Sequence, residues 1–350
     1  MIKDIGSIFP IYTRHSAANI LPTGKRQYFS MCREILHEIA RQSKGNKVAL
    51  LPAYTCSAVI QPFKALGWKV CYYAVSKELR ICVDSFKDVV NEESPSIIVV
   101  HPYFGMELNR AEEEALQWAK RNGECTIILD NTQCAYSNRK YDFVDYTVAS
   151  IRKWLPIAEG AYVEGKSVFE SSNRTNSLYN AIELDAMYLR GLYFKTGEEE
   201  VKEISRRLDA EAIEVLDKTP MDLHSLESHA VDGIVNDDQE YHSSVRISNY
   251  QYLYANLSKM KGIHVVLPHI QELTTAPLLF PFYADDLEKM QRFLAPEHIY
   301  AQRIWRVEEE ACLMTEEIKY IYDHLLVLFI DQRYDNQDMQ RIINRLRQYE

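Results

Sequence analysis

Four short runs of apolar residues, many of them β-branched, constrain the fold of this chain most strongly. Stretches with helical spacing flank or separate these runs, which read VALLP (48–52), SIIVVH (96–101), CTIILD (125–130) and DYTVAS (145–150). A strand that is apolar along its whole length is buried on both faces, and alternation with helices indicates βαβ units around a parallel sheet. Because ligands bind at the carboxyl ends of such strands, the residues that follow each run are the first candidates for chemistry.

The rest of the chain predicts a second lobe of a different kind. Residues 25–43 have the apolar spacing of a helix, and from about residue 176 long helical stretches are followed by shorter strands. The predicted strands of this later part read GIHVVLP, APLLFPFYA, HIYAQRIWR and HLLVLFID. We therefore expect an α/β fold with a large domain over residues 15–240 and a small α+β domain over residues 241–350, which residues 1–14 join.

Composition narrows the class of protein. The 350 residues carry a formal net charge of −10, which argues against a nucleic-acid-binding protein, since such proteins usually present a basic surface. No apolar run reaches the roughly 18 residues that span a bilayer, and residues 1–16 lack the pattern of a signal peptide. The seven cysteines are odd in number and contain no CxxC pair. We expect a cytoplasmic protein with no structural metal and no nucleic-acid or membrane partner.

Lys153 follows the last of the four apolar runs, in the segment SIRKWLPIAEG. A lysine beside Arg152 and among apolar groups has its ammonium form disfavoured, which makes the amine a better nucleophile toward an aldehyde. Taken alone, a lysine is more simply a solvated surface charge. The position of Lys153, after a buried strand and before a glycine-marked segment, is what makes it a candidate.

Asp130 ends the third apolar run, in LDNTQCAYS. A carboxylate held there can keep the ring nitrogen of pyridoxal phosphate protonated, which allows the ring to accept electrons. Gln133, three residues later, is placed to hydrogen-bond the hydroxyl oxygen of such a ring. The simpler alternative is that Asp130 starts a loop and bonds its own backbone, as aspartate often does.

A phosphate-binding loop is the third candidate element. The sequence PTGKRQYF (22–29) predicts a small-residue loop that opens a helix. Free backbone amides at such a helix start attract an anion, aided by the helix dipole. The residues that would bind the phosphate are Thr23, Gly24 and Lys25, for which a plain helix cap is the alternative.

The segment PAYTCS (52–57) supplies a fourth element at another strand exit. Tyr54 would stack over a flat cofactor ring, whereas Cys56 would only pack against it. The order along the chain is then phosphate loop, stacking residue, acid and lysine. This order resembles that of fold-type-I pyridoxal-phosphate enzymes.

Individual motifs bring the resemblance closer to the DegT/DnrJ/EryC1/StrS family of sugar aminotransferases. The segments that carry it are TGKRQYF, LPAYTCSAVIQPFKALGWKV, IIVVHPYFG, ILDNTQ and SIRKWLPIAEGAYV, with RISNYQYLYANLSKMKGI and YAQRIWR in the later part. The chain also departs from the family. Its serine lies three residues before the lysine rather than five, and Cys56 stands where phenylalanine is common, so the chain resembles a divergent member.

The resemblance implies a fold-type-I architecture and an aminotransferase that uses pyridoxal 5'-phosphate. It implies that Lys153 holds the cofactor and moves a proton, that Asp130 faces the ring nitrogen and that Gln133 contacts the ring oxygen. It assigns phosphate binding to Ser150, Gly24 and Lys25. The amino group would pass from an amino acid such as glutamate to a keto sugar, expected to be nucleotide-linked, and by the same analogy the enzyme would be a homodimer.

Substrate-binding residues are harder to assign. His101 and Tyr103 follow a strand exit, so they either face the site or pack beneath it. Arginine side chains bind carboxylates and phosphates well. The candidates for that role are Arg152, Arg303 and Arg306, for which exposed salt bridges are the simpler alternative.

Two other functions are compatible with the same residues. The fold could carry different chemistry on a small amino acid, such as that of a lyase or decarboxylase. The protein could also bind the cofactor without turnover and act as a regulator. Lysine at position 153 favours transamination, because some members of the broader family have histidine there and act as dehydratases.

Overall fold

A computed structural model of the chain describes residues 3–13, 20, 21, 24–266, 273, 275–307 and 315–349. The strands are β1 (Arg26–Phe29), β2 (Val48–Pro52), β3 (Lys69–Tyr73), β4 (Ile97–Val100), β5 (Thr126–Asp130), β6 (Tyr146–Ser150), β7 (Ala161–Gly165), β8 (Ile263–Val265), β9 (Phe280–Ala284) and β10 (Leu325–Leu328). The α-helices are α1 (Cys32–Gln42), α2 (Ser57–Ala65), α3 (Val83–Glu93), α4 (Arg110–Asn122), α5 (Ser177–Thr196), α6 (Glu199–Lys218), α7 (Ser228–Val235), α8 (Gln239–Leu257), α9 (Leu287–Leu294), α10 (Glu316–His324) and α11 (Asn336–Leu346).

These strands form two sheets. Seven of them make a large sheet in the order β1-β7-β6-β5-β4-β2-β3, and three make a small sheet in the order β10-β9-β8. In the large sheet β3, β2, β4 and β5 run parallel, whereas β1 pairs antiparallel with β7. Both pairings of the small sheet are antiparallel. The predicted α/β class, with a large, mostly parallel sheet and a smaller antiparallel one, is confirmed.

Contacts within the chain group the residues into two compact units. The first unit contains Ser7–Ile39 and Val148–Asp238. The second contains Ile2–Gly6, Ala40–Thr147 and Gln239–Glu350. Each unit is assembled from segments that are distant in sequence. The domain boundary expected between residues 240 and 241 stays a prediction.

The second unit is built around strands that are buried along their whole length. Every residue of β2 and β4 is buried, as the uninterrupted apolar runs predict. In β5 only Thr126, the first residue, is partly exposed. Polar side chains therefore enter this part of the fold where the strands end, which is where the candidate site residues follow.

The first unit is built around two long helices. α5 packs against α6, and the hydroxyl of Ser205 in α6 donates to the carbonyl of Ala186 in α5 at 2.8 Å. Gly191 is required in α5, because a Cβ there would lie 2.2 Å from the carbonyl oxygen of Ile11. The apolar cluster of this unit consists of Met31, Ala158, Tyr179, Met187, Ala212 and Leu216.

The prediction of one helix over residues 25–43 is wrong. Residues 26–29 form β1, and α1 begins only at Cys32. Partners far along the chain decide the conformation, because β1 pairs with β7 and the Arg26 guanidinium lies 4.2 Å from the ring centre of Tyr162. Gln27 also exchanges two hydrogen bonds with the backbone of Phe169, at 2.9 and 3.0 Å. A local apolar pattern cannot report such long-range pairing.

The strand predictions for the later part are confirmed for three of four segments. GIHVVLP, APLLFPFYA and HLLVLFID contain β8, β9 and β10. HIYAQRIWR forms no strand, although Gln302 makes an isolated bridge with Val327. Trp305 in this segment has a φ of 56°, which is a left-handed conformation that strands do not contain.

The described part of the chain has no helix that is long and apolar enough to cross a membrane. It also holds no cluster of three or more His, Cys, Asp or Glu side chains that could bind a metal ion. The six cysteines within that part are all free thiols.

Asn109 provides a test of local helix stability. Its side chain accepts from the backbone N of Glu112 at 3.0 Å, and the Glu112 carboxylate accepts from the backbone N of Asn109 at 2.9 Å. We expect Asn109→Ala to lower the free energy of unfolding by about 1 kcal/mol, because α4 loses its cap. Urea unfolding followed by circular dichroism measures the change. Asn122→Ala at the exposed other end of α4 is the matched control, and an equal loss there would contradict the prediction.

Candidate active site

Asp130 is the last residue of β5 and caps the 3-10 turn Asn131–Cys134. Its Oδ1 accepts hydrogen bonds from the backbone N of Thr132 at 3.0 Å and from the Thr132 hydroxyl at 2.5 Å. These two bonds fix one oxygen and orient the carboxylate. Asp130 therefore starts a turn, which was the simpler alternative, and in doing so it presents an oriented carboxylate.

His101 contacts Asp130. Its Nδ1 lies 3.6 Å from Asp130 Oδ2, and its Nε2 lies 2.7 Å from the hydroxyl oxygen of Thr55. An imidazole with its Nδ1 proton toward the carboxylate accepts the Thr55 hydroxyl proton at Nε2. Three side chains that follow or end β2, β4 and β5 thus form one chain of contacts. His101 supports the acid in this structure, and its role as a substrate-binding residue stays a prediction.

Gln133 is oriented by its amide oxygen. This oxygen accepts a hydrogen bond from the backbone N of Phe104 at 2.9 Å. Phe104 belongs to a tight turn in which Phe104 and Gly105 both have positive φ, 45° and 86°. Because the oxygen is bound to the backbone, the amide nitrogen is the group that can donate to a ligand oxygen.

Tyr54 and Tyr103 lie in an aromatic cluster of the second unit. Tyr54 is 0% exposed, and its ring centre lies 4.8 Å from that of Trp305, 5.0 Å from that of Tyr322 and 5.8 Å from that of Tyr103. Its hydroxyl donates to the carbonyl of Ile304 at 2.7 Å. Burial raises the pKa of both Tyr54 and Tyr103 well above the ordinary tyrosine value. The ring of Tyr54 is thus packed against protein on several sides, so that its stacking on a cofactor stays a prediction.

The other predicted residues of the second unit are more open. Cys56 is half-buried and directly precedes α2. Arg303 and Arg306 are exposed and flank Trp305. Their long side chains are therefore accessible to an anionic group, as the prediction of a carboxylate- or phosphate-binding role requires.

Lys153 is the last residue of a 3-10 turn, Ile151–Lys153, that follows β6 directly in the first unit. Its side chain is exposed. Within the described residues the amine has no hydrogen-bond or ion-pair partner, and its neighbour Trp154 is 0% exposed. The turn thus exposes an amine that has no partner among the described residues, next to a buried tryptophan.

Arg152, next to Lys153, belongs to a different environment. It is half-buried, and its Nη1 lies 3.5 Å from the hydroxyl of Tyr179. Two carboxyls of the long helices, Glu183 and Asp209, lie within electrostatic reach of it. Burial and then the charge of Asp209 raise the pKa of Glu183 to about 7, while Arg152 lowers it. Arg152 therefore has internal anionic neighbours, and its role in substrate binding stays a prediction.

The predicted phosphate residues do not open a helix. Gly24 and Lys25 are exposed and directly precede β1, so the helix-dipole argument does not apply to them. Thr23 lies outside the described residues. Ser150, the last residue of β6, is 7% exposed and directly precedes the turn that carries Lys153.

Three residues near the candidate groups were not predicted from the sequence. Thr132 orients Asp130, Thr55 bonds His101, and Trp305 packs on Tyr54 and His101. Thr132 was accessible to prediction, because threonine two residues after a capping aspartate is a local signal. Trp305 was not, because no local pattern links a residue after β9 to one that follows β2.

No protein-family model matches the chain, and no curated protein matches it in sequence. Solved structures do match. The sugar aminotransferase CalS13 from Micromonospora echinospora has a TM-score of 0.68 over 93% of this chain and 88% of that chain, at 11% identity. A protein from Streptococcus pneumoniae described as a sugar aminotransferase, in its PLP form, has a TM-score of 0.67 over 98% of each chain, at 12% identity. DesI, solved in the presence of its TDP-sugar product, has a TM-score of 0.65 over 92% of this chain and 79% of that chain, at 14% identity.

The chain has the fold of these aminotransferases. The architecture that the motifs implied is therefore confirmed. Sequence identities from 11% to 14% support a common fold and carry no assignment of activity by themselves.

The contact between Thr55 and His101 can be tested by one substitution. We expect Thr55→Val to lower the free energy of unfolding by about 1–3 kcal/mol, because the buried imidazole Nε2 loses its partner while the side-chain shape is kept. Urea unfolding measures the loss, and nitrogen NMR of the imidazole reports the lost bond. Thr196→Val, at the exposed end of α5, is the control. An unchanged His101 spectrum in Thr55→Val would rule out the contact.

Glu183 predicts a specific dependence of stability on pH. Its pKa is about 7 in the folded protein, against an ordinary value of 4.5. The unfolded chain therefore loses this proton first, so the free energy of unfolding falls as pH rises from about 4.5 to about 7. We expect Glu183→Gln to flatten this decline, measured by urea unfolding at several pH values. The exposed Glu211→Gln should keep it, and a decline that survives in Glu183→Gln would assign it to other groups.

Proposed function

We propose that this protein is a pyridoxal-phosphate-dependent aminotransferase. It moves an amino group from an amino acid donor, expected to be glutamate, to a keto sugar. The nucleotide-linked form of the sugar is expected, because DesI, which shares the fold, was solved with a TDP-sugar product. The observation that carries the proposal is the amine of Lys153, which has no partner among the described residues and is exposed on a 3-10 turn directly after a strand.

The candidate residues fit the chemical groups of the cofactor. An aldehyde requires an amine with no competing partner, and Lys153 provides one. A pyridine nitrogen requires an acid that is oriented and nearly buried, and Asp130 meets both conditions. A ring oxygen requires a donor, which Gln133 provides once its own oxygen is bound to Phe104. Lys25 and Ser150 are proposed to bind the phosphate, one by charge and one by its hydroxyl.

Each residue has a distinct task in the reaction. When bound, pyridoxal phosphate supplies a ring that accepts electrons. Lys153 holds the cofactor and then acts first as general base and then as general acid. It takes a proton from one carbon atom and returns it to a second carbon atom. Asp130 keeps a proton on the ring nitrogen, while Thr132 and His101 keep Asp130 oriented. A carboxylate held by other side chains does this without reorganising during the reaction.

Substrate contacts and assembly are proposed less specifically. Arg303 and Arg306 are exposed and can bind the carboxylate of the donor or a phosphate of the acceptor. We propose a homodimer in the cytoplasm, by analogy with the fold. Sedimentation or light scattering of the purified protein measures whether it is a dimer.

The function has a direct spectroscopic test. Purified protein with pyridoxal phosphate should absorb near the edge of the visible range, and borohydride should fix the cofactor to Lys153, as peptide mass spectrometry would report. Lys153→Ala should abolish this fixation. Asp130→Asn should lower turnover by roughly a hundredfold or more, because the ring nitrogen loses its acid, while the urea midpoint changes little.

The controls separate the alternatives. Lys166→Ala removes an exposed lysine of the same unit and should leave fixation intact. A glutamate-dependent change of the cofactor spectrum supports an aminotransferase, whereas cofactor binding without it supports a lyase or decarboxylase. Binding with no response to any amino donor supports a regulatory protein. A protein that takes up no cofactor contradicts the whole proposal.

A further inference from the structure

Lys153 belongs to a closed loop, residues 151–160, that joins β6 to β7. The backbone N of Arg152 donates to the carbonyl of Gly160 at 3.1 Å, and that of Trp154 donates to the carbonyl of Ile151 at 2.9 Å. Of the ten residues only Lys153 and Pro156 are exposed. The rest of the loop is packed, so the position of the amine depends on the groups that hold the two ends of the loop.

Glu159 holds the far end of this loop, and it is 0% exposed. The Ser30 hydroxyl donates to its Oε2, and the backbone N of Glu227 donates to its Oε1 at 2.6 Å. The backbone repeats the link, because the N of Gly160 donates to the carbonyl of Ser30 at 2.8 Å. One carboxyl thus connects the loop to the residue after β1 and to the residue before α7.

A second buried carboxyl, Glu34, continues the network. The Asn176 amide donates to the Ser30 hydroxyl at 2.6 Å and to Glu34 Oε1 at 2.9 Å. His224 donates its backbone N to Glu34 Oε2 at 3.1 Å, and its Nδ1 lies 2.9 Å from Oε1. Asn176 therefore bridges Ser30, which bonds Glu159, and the Glu34–His224 pair.

The two carboxyls differ in their electrostatic partners. The hydrogen bond and charge of Glu34 raise the pKa of His224, whose Nδ1 lies 2.9 Å from the Glu34 carboxylate. Among the described residues Glu159 has no cationic side chain within ion-pair distance. Burial raises the pKa of Glu159, whereas the hydrogen bonds donated by the Ser30 hydroxyl and by the backbone of Glu227 lower it.

We infer that Glu159 is a positioning residue for Lys153, and that its carboxyl ties loop 151–160 to Ser30 and to the residue before α7. The inference depends on the proposed function only in that Lys153 holds the cofactor. An error of about 1 Å in the position of a reacting group can cost roughly a hundredfold in rate. Glu159 acts on Lys153 through the backbone of the loop that they share.

Three substitutions at one position test this inference. Gln keeps the length of the side chain but only one accepting oxygen, so Glu159→Gln can keep one of the two bonds and should change the loop least. Glu159→Asp is too short, and Glu159→Ala makes neither bond. In the cofactor-free protein, Glu159→Asp and Glu159→Ala should both speed hydrogen exchange of the amides in loop 151–160. When pyridoxal phosphate is added, both variants should capture it roughly tenfold or more weakly than the natural protein does.

Further variants keep the test decisive. If Glu159→Ala does not fold, Asn176→Ala breaks the same network one step away and should speed exchange in the loop to a smaller extent. Ser205→Ala, which removes a buried hydroxyl between α5 and α6, is the control for general loosening. The inference is overturned if Glu159→Ala exchanges as the natural protein does, if Asp rescues as well as Gln, or if Ser205→Ala has an equal effect on the loop. Hydrogen exchange needs no cofactor, so failure of the inference is distinguishable from failure of the proposed function.

Discussion

Buried polar groups must be hydrogen-bonded, and the organisation of this protein follows from that constraint. Where a buried strand ends, the first polar side chain has little water to bond, so it has to find a partner inside the protein. Asp130 accepts from Thr132 and His101 bonds Thr55 at such strand ends, and in the loop before β7 the buried Glu159 accepts from Ser30. Each such bond also fixes a turn. The candidate chemical groups are therefore oriented by the same contacts that allow them to be buried.

The sequence predicted local features well and distant ones poorly. The strands at 48–52, 97–100, 126–130 and 146–150 lie within the four apolar runs, because burial on both faces requires an uninterrupted apolar sequence. β1 was mistaken for the start of a helix, since only its pairing with β7 makes it a strand. Asp130 and Lys153 became candidates because Asp130 ends one buried strand and Lys153 lies just after another. Trp305 and the partners of Glu159 could not, because their contacts join segments that are distant in sequence.

The chain shares its fold with proteins of low sequence identity. A protein with a TM-score of 0.68 to this chain shares 11% of its residues, as expected when many apolar residues can fill the same core. Under the proposed function, an amine, an acid and a donor would each contact a different group of the cofactor, so these side chains would be less interchangeable than those of the core.

Trp305 has a backbone conformation that its own side chain disfavours. A non-glycine residue with a φ of 56° costs free energy, on the order of 1–3 kcal/mol, unless its surroundings hold it there. Those surroundings include the rings of Tyr54, His101 and Tyr103. Without the contacts to these rings, the left-handed backbone of Trp305 would lose that support. The backbone at this residue would then relax toward an extended conformation. The direction of Arg306 relative to Arg303 would then change, so the arrangement of two exposed charges depends on the packing around a buried tyrosine.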